Sequence, residues 1–450
     1  MATPDPPPAS PRAAPPPVGR LCISGGTLVE LHPARVERAD VLVEGGVVAQ
    51  VGGVVPEGVP RLDATDCFVM PAFCNAHTHL YMSLTRGMPP PSSRPMTLAD
   101  VLQWVWWAVD KALDDDLVEL SALVGAAQAA RSGVSCLVDH HSSPRAIDGS
   151  LDRIAGALDA VGVRGVLCYE TSDRDGRGRR DGGLRENERF LTRVRAGKVT
   201  RHRGLVGAHA SMSLNDDTLD RLRDLADQAD VGLHLHVAED LTDLLDAERR
   251  KSTLAARLRR LGLARRGSIA AHAVQLDAAT SEEIVRAGGT IVTNARSNMH
   301  HGVGVARVSG ERIALGTDGI DQDVFGEARA HVLRHGEARD GLDRELTRRV
   351  AFSQTLAAEL FGDPEGLPRV AVGRRADLVV LDYDPPTPVT PSNLQAHLAF
   401  GWRASHVRDL LVGGDLVVRG HRLTKIDEKE LMARARAGAE RLWERAQGYM

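Results

Sequence analysis

Lysine is scarce in this chain. Of 56 basic residues only Lys111, Lys198, Lys251, Lys425 and Lys429 are lysine, and the rest are arginine. Cysteine is sparse as well. Cys22, Cys67, Cys74, Cys136 and Cys168 are scattered through apolar runs with no C-x-x-C pair, which excludes a disulfide framework and a thiolate zinc cluster. There is no apolar run of about 18 residues, so no membrane span is expected. A net charge of -4 leaves no basic excess, so neither nucleic acid nor an anionic membrane is expected as a partner. Residues 1–18 hold no apolar signal core and read as a disordered Pro-rich tail, with a reducing cytoplasm as the expected location.

What is present is an ordinary globular composition over 450 residues, 43% hydrophobic and 26% charged. Near the start, "VLVEGGVVAQVGG" is a run–Gly-Gly–run hairpin pattern, and "RDLLVGGDLVVRG" repeats it near the end. These predict a composite β-sandwich from residues 19–70 plus 366–425. Between them, eight apolar runs turn polar at their ends: "CFVMPAFCNAHTH", "VSCLVDHH", "VRGVLCYETSD", "GLVGAHAS", "VGLHLHVAED", "SIAAHAVQ", "GTIVTNARSN" and "RIALGTDG". Amphipathic segments such as "LNDDTLDRLRDLADQA" and "DAATSEEIVRAG" separate some of them. Strand–helix alternation repeated eight times predicts an α/β fold, a (β/α)8 TIM-like barrel over 71–365. Residues 426–450 read as a C-terminal helix.

In such a barrel the chemistry sits where the strands end. His77 and His79 of "NAHTH" are two apart on a strand and share a side. His236 closes the fifth run, His272 the sixth and Asp318 the eighth. Each alone reads more readily as a structural, hydrogen-bonded strand-end residue; five metal-competent side chains on four strand ends read as a metal site. His234, one layer deeper than His236, reads as barrel filling. Glu239 follows His236 by three, which can bring its carboxylate back over the site, although a solvated acid at a helix start, as expected for Asp240, has the same signature.

These residues resemble the amidohydrolase superfamily over everything after the tail. "VDHHSSP", "NARSNM" and "GTDGIDQDVF" are similar to the SsnA-type aminohydrolases, relatives of adenosylhomocysteine, guanine and cytosine deaminases and of triazine hydrolases. The resemblance implies His77, His79, His236 and Asp318 as metal ligands, with His272 beside the water the metal activates. Two-metal members carry a carboxylated lysine after strand four. No lysine occurs in the eight runs and His209 stands there instead, so the comparison implies one divalent ion per subunit, Zn²⁺ or else Fe²⁺. The H-x-x-E spacing likewise implies Glu239, with His272 and Asp318, as the catalytic set.

The expected reaction is hydrolytic removal of an amino group from an amidine-like carbon of a small nitrogen heterocycle, with purine-related catabolism as the family hint. Substrate contacts are expected from His209, His140, Arg296 and Asn298, each of which reads equally as a structural hydrogen-bonder. His141 falls beside His140, and one ring of "WVWW" could border the pocket. The expected partners are the heterocycle, water and further copies of the chain. Two alternatives stand: hydrolysis of a ring amide or carbon–halogen bond at the same metal, or a non-catalytic binding and assembly protein.

Overall fold

The computed structural model describes residues 19–363 and 369–450. The expected tail, 1–18, and the expected boundary at 365/366 lie outside the described residues.

Chain ends meet in one sheet. Strands Thr27–Leu31, Ala34–Arg38 and Phe68–Pro71 from the first part share a seven-stranded sheet with Leu378–Leu381, Val407–Val412, Asp415–Arg419 and Arg422–Leu423 from the last. A second, four-stranded sheet comes from the first part alone. Both Gly-Gly pairs form the expected tight turns: φ is positive at Gly45, Gly46, Gly413 and Gly414, a conformation that costs other residues a Cβ clash. The two turns also touch, since a Cβ on Gly46 would lie 2.8 Å from the Gly413 carbonyl oxygen.

The middle of the chain supplies eight parallel strands: β1 (Phe73–Thr78), β2 (Val134–His141), β3 (Arg164–Tyr169), β4 (Val206–Ala210), β5 (Leu233–Val237), β6 (Ile269–His272), β7 (Thr290–Thr293) and β8 (Ile313–Leu315). They form two arcs, β1 to β3 and β4 to β8, paired in chain order. The arcs meet at both seams, through bridges Thr171 to Ala208 and Thr78 to Asp318. Every residue of these strands is buried, which is why they read as continuous apolar runs rather than alternating ones.

Two strands differ from the sequence expectation. "CFVMPAFCNAHTH" is not one strand: Phe68–Pro71 pairs antiparallel with Leu378–Leu381, and β1 begins at Phe73. Pro71 has no N–H to continue a ladder, and the chain changes sheets there. In the fourth run, Gly204 belongs to a short strand, His202–Gly204, that pairs with β3, whereas β4 pairs with β5.

The helices follow their capping chemistry. Asn215 accepts from the Thr218 N–H at 2.9 Å to start Asp216–Ala229, whose buried Thr218, Leu219, Leu222 and Ala226 line one face. Asp277 does the same for Ala278–Arg286. The terminal helix, Glu428–Gln447, buries Leu431, Ala435, Gly438, Leu442 and Ala446. Its Trp443 Nε1 donates to the Leu84 carbonyl at 2.8 Å, so it clasps the segment just after β1. Among the described residues no helix is long and apolar enough to cross a membrane.

Candidate metal and catalytic site

His77 and His79 leave the end of β1, His236 the end of β5, His272 the end of β6, and Asp318 the loop after β8. The strands bring them together: ligand-capable atoms of His77, His236, His272 and Asp318 lie within 4.8 Å of one another. Asp318 Oδ1 is 3.0 Å from His79 Nε2 and 3.5 Å from His77 Nε2. Gly316 makes this approach possible, because a Cβ there would lie 2.7 Å from the His77 carbonyl oxygen. Holding the chain in this shape is costly. Ala238, His272, Ala273 and Asp318, all at these strand ends, have φ between 49 and 74°, where side chains are disfavoured.

Proton positions follow from the hydrogen bonds around each ring. His79 Nδ1 donates to the His140 carbonyl at 2.6 Å, and His236 Nδ1 donates to the His209 carbonyl at 2.8 Å. Both rings therefore present an Nε2 lone pair inward, and these two nitrogens stand 3.1 Å apart. Two lone pairs at that distance, with a carboxylate oxygen beside them, demand a positive charge between them. His77 Nε2, His272 Nε2 and Asp318 Oδ1 are buried with no hydrogen-bond partner, so the donor set fits a divalent cation.

The titration directions express the same demand. Burial holds His77 down, to about 3, and His236 well below the usual histidine value, so both keep their lone pairs. Burial opposes charge on His79 too, yet the Asp318 carboxylate overrides it and lifts His79 to about 9, so a proton on Nε2 stands where a cation would otherwise supply the positive charge. Burial pushes Asp318 up, but the His77 and His79 rings beside it win and hold it well below the usual carboxylate range.

His77 Nδ1 meets His234 Nε2 at 2.8 Å, and His234 Nδ1 lies 3.7 Å from Cys168 Sγ. His234 thus fills the interior behind the site and fixes the His77 ring, as deeper partners of metal ligands do. His272 Nδ1 donates to Asn298 Oδ1 at 2.8 Å, which aims Nε2 inward. Asp240 accepts from the Thr242 N–H at 3.0 Å at the start of Thr242–Arg249, the helix-start role expected of it.

A cleft enclosing about 340 Å³, part of it open to solvent, lies over these groups. His79, His236, Glu239, His272 and Asp318 form its polar floor, and Tyr81, Leu102, Trp106 and Trp107 form apolar walls. Glu239 is drawn over the floor by the left-handed turn at Ala238, whose N–H is held by Asp243 at 2.9 Å. Burial raises the Glu239 pKa, but His272 and His301 outweigh it and keep the carboxyl below its usual range.

The four expected substrate contacts divide. His209 lines the cavity, with Nδ1 2.8 Å from Ser213 Oγ. The other three are absent from the lining. His140 is fully buried: its Nε2 donates to the Ala208 and His234 carbonyls, both at 3.1 Å, and Nδ1 faces Glu170 at 3.2 Å. Arg296 is committed to Asp321 at 2.6 Å and Glu327 at 2.8 Å, which anchors the helix Ala295–His301. Asn298 is spent on His272. Each sits at a strand end or in the segment that follows it, and neighbouring elements engage polar atoms of each: the nitrogens of His140 and Arg296, and the Oδ1 of Asn298. His141 is likewise buried and bonded to Ser143 at 2.9 Å.

Glu170, Trp106, Trp107 and His301 line the cavity without having been singled out individually. Glu170 is the first polar residue after β3, a position that could have marked it. Trp106 ends, and Trp107 follows, a π-helical turn, Leu102–Trp106, the kind of irregularity found at functional sites.

Comparison with known proteins agrees with this geometry. The chain is 29% identical over 423 residues to a 5-methylthioadenosine/S-adenosylhomocysteine deaminase of Desulforudis audaxviator, covering 90% of this chain and 95% of the relative. The crystal structure of an adenosine deaminase from Xanthomonas campestris with bound zinc superposes with a TM-score of 0.79 at 25% identity, over 94% of this chain and 98% of that one. Atrazine chlorohydrolase from Arthrobacter aurescens, complexed with zinc, shares the fold at 19% identity and a TM-score of 0.77, over 93% of this chain and all of that one (100%). The amidohydrolase family model matches residues 68–417, and the chain belongs to the amidohydrolase family.

Proposed function

We propose that the protein is a metal-dependent deaminase that hydrolyses the exocyclic amino group of an adenine-type nucleoside or base. The observation that carries this reading is the pair of inward Nε2 lone pairs of His79 and His236, 3.1 Å apart, beside Asp318 and beneath an acid that is not part of the ligand cluster. The names of the relatives support the purine-type substrate. In this reading the two arcs form one (β/α)8 barrel and the end sheets a composite β-sandwich, with the C-terminal helix as its own unit.

His77, His79, His236 and Asp318 would hold one divalent ion; their nitrogen and oxygen donors suit either Zn²⁺ or Fe²⁺, and the zinc in the relatives' structures favours Zn²⁺. When bound, such an ion makes a water acidic enough to attack at neutral pH. The chain's own residues manage the protons. Glu239, ionised at rest, takes the water's first proton and delivers it to the ring nitrogen beside the amino-bearing carbon. Asp318 takes the second and passes it to the amino group, which leaves as ammonia while the carbon keeps the oxygen. His272, its Nδ1–H tied to Asn298, orients the water by accepting at Nε2. His209 faces the heterocycle, and the Trp106 and Trp107 rings offer it a flat apolar wall.

The test is release of ammonia by the zinc-loaded protein from 5-methylthioadenosine, adenosine, free purines, pyrimidines and triazines, with halide release and ring opening followed in parallel. Ammonia from adenine-type compounds is expected. Halide or ring-opened product alone would replace this reading with another hydrolysis at the same site. No turnover with one metal ion bound would favour a binding protein.

A further inference from the structure

The short helix after β7, Ala295–His301, reaches three of the reacting groups at once. Ser297 Oγ donates to Asp318 Oδ2, Asn298 Oδ1 accepts from His272 Nδ1 at 2.8 Å, and His301 Nδ1 stands 3.0 Å from Glu239 Oε1. Ser297 and His301 are four apart and so share one face of the helix. The first two contacts steady groups already assigned a role; the third is left over.

We infer that His301 is a positioning residue for Glu239: its Nδ1–H holds one carboxylate oxygen, Oε1, and leaves Oε2 to carry the proton between water and substrate. The proposal rests on the deaminase reading for its catalytic consequence, while the pairing itself stands on geometry. An ionised carboxylate can only accept, so the imidazole nitrogen is the donor. It is the one side-chain hydrogen bond that the Glu239 carboxylate makes among the described residues. His272 Nδ1, at 3.8 Å, is already given to Asn298. The location favours a charged imidazole, because His301 closes the helix, where unpaired carbonyls gather, and Gly302 turns the chain away with φ of 68°. Glu239 itself raises the basicity of His301 against the opposing effect of burial. The ring is walled on another side by the edge of Trp106, 6.0 Å between centroids, and its side chain is only 3% exposed. A carboxylate on a loop after a left-handed turn would otherwise sample several rotamers, and proton transfer is sensitive to displacements of about 1 Å.

The experiment compares His301→Ala with His301→Asn, whose amide nitrogen can occupy the place of Nδ1. His301→Ala is expected to lower kcat about 10- to 100-fold, with KM and bound zinc changed less than about twofold, and His301→Asn to recover most of the loss. Equal losses in both variants, or a loss that follows zinc content or Tm, would overturn the assignment. A second readout needs no turnover. In histidine-¹⁵N-labelled protein, the His301 Nδ1 resonance should shift when Glu239→Ala removes its acceptor, and an unmoved resonance would also overturn it. If the unaltered protein releases no ammonia from any compound, the deaminase reading fails, and the resonance still decides the pairing.

Discussion

The two ends of the eight parallel strands are built from the same backbone and arrange their polar groups differently. Where the strands begin, polar side chains close contacts. Gln354 Nε2, from the helix Leu346–Leu360, donates to the Pro71 and Ala72 carbonyls, both at 2.9 Å, and Arg164 pairs with Asp377. Where the strands finish, His77 Nε2, His272 Nε2 and Asp318 Oδ1 are buried and unmatched, and four residues there are held at positive φ. An unmatched buried polar group costs about 1–3 kcal/mol, and a left-handed residue costs a similar amount. Single unmatched atoms also occur where strands begin, at Arg164 Nε and Thr290 Oγ1, but at the finishing end the unmatched nitrogens and carboxylate oxygen converge within 4.8 Å of one another, the arrangement expected of a site rather than of a fold contact.

The contrast can be broken most severely at His236. His236→Ala should lose the bound metal and with it all measurable turnover, because two facing lone pairs become one; retention of one zinc per chain by elemental analysis would contradict the ligand assignment. Next comes Asn298→Ala, which frees the His272 ring without touching a proposed ligand. It should lower kcat/KM by about 10- to 100-fold, the usual cost of losing a partner behind a metal site, with zinc content unchanged. The smallest effect is expected at the other end. Gln354→Ala should lower stability in urea unfolding by about 1–3 kcal/mol through the orphaned carbonyls while leaving kcat, KM and zinc as they were. A change in turnover there would mean that the two ends are coupled.

The sequence carried much of this. Buried parallel strands must be continuously apolar, so eight runs that turn polar at one end were visible together with the residues at those ends. The capping acids and asparagines gave away helix starts such as Asn215 and Asp277, and the Gly-Gly pairs gave away both hairpins. Less legible was who uses which donor. His140 and Arg296 stand at strand ends like His209, yet Glu170, Asp321 and Glu327 claim them, and those partners come from other strands and loops, Glu170 from beyond β3 and the other two from beyond β8. The break at Pro71 was equally hidden, because an apolar run does not show that its two halves pair with different sheets. His301 was hidden for the same reason: its meaning depends on Glu239, 62 residues away in the chain.

The central claim is that these strand ends hold a metal while a separate acid moves the proton. The direct test is to measure bound metal and ammonia release on the same preparations of the unaltered protein and of Glu239→Gln, with 5-methylthioadenosine as substrate. The account expects one zinc per chain in both, and ammonia formation about 10²- to 10⁴-fold slower in the variant. Loss of zinc in Glu239→Gln, or near-normal ammonia release from it, would contradict the division between ligands and acid.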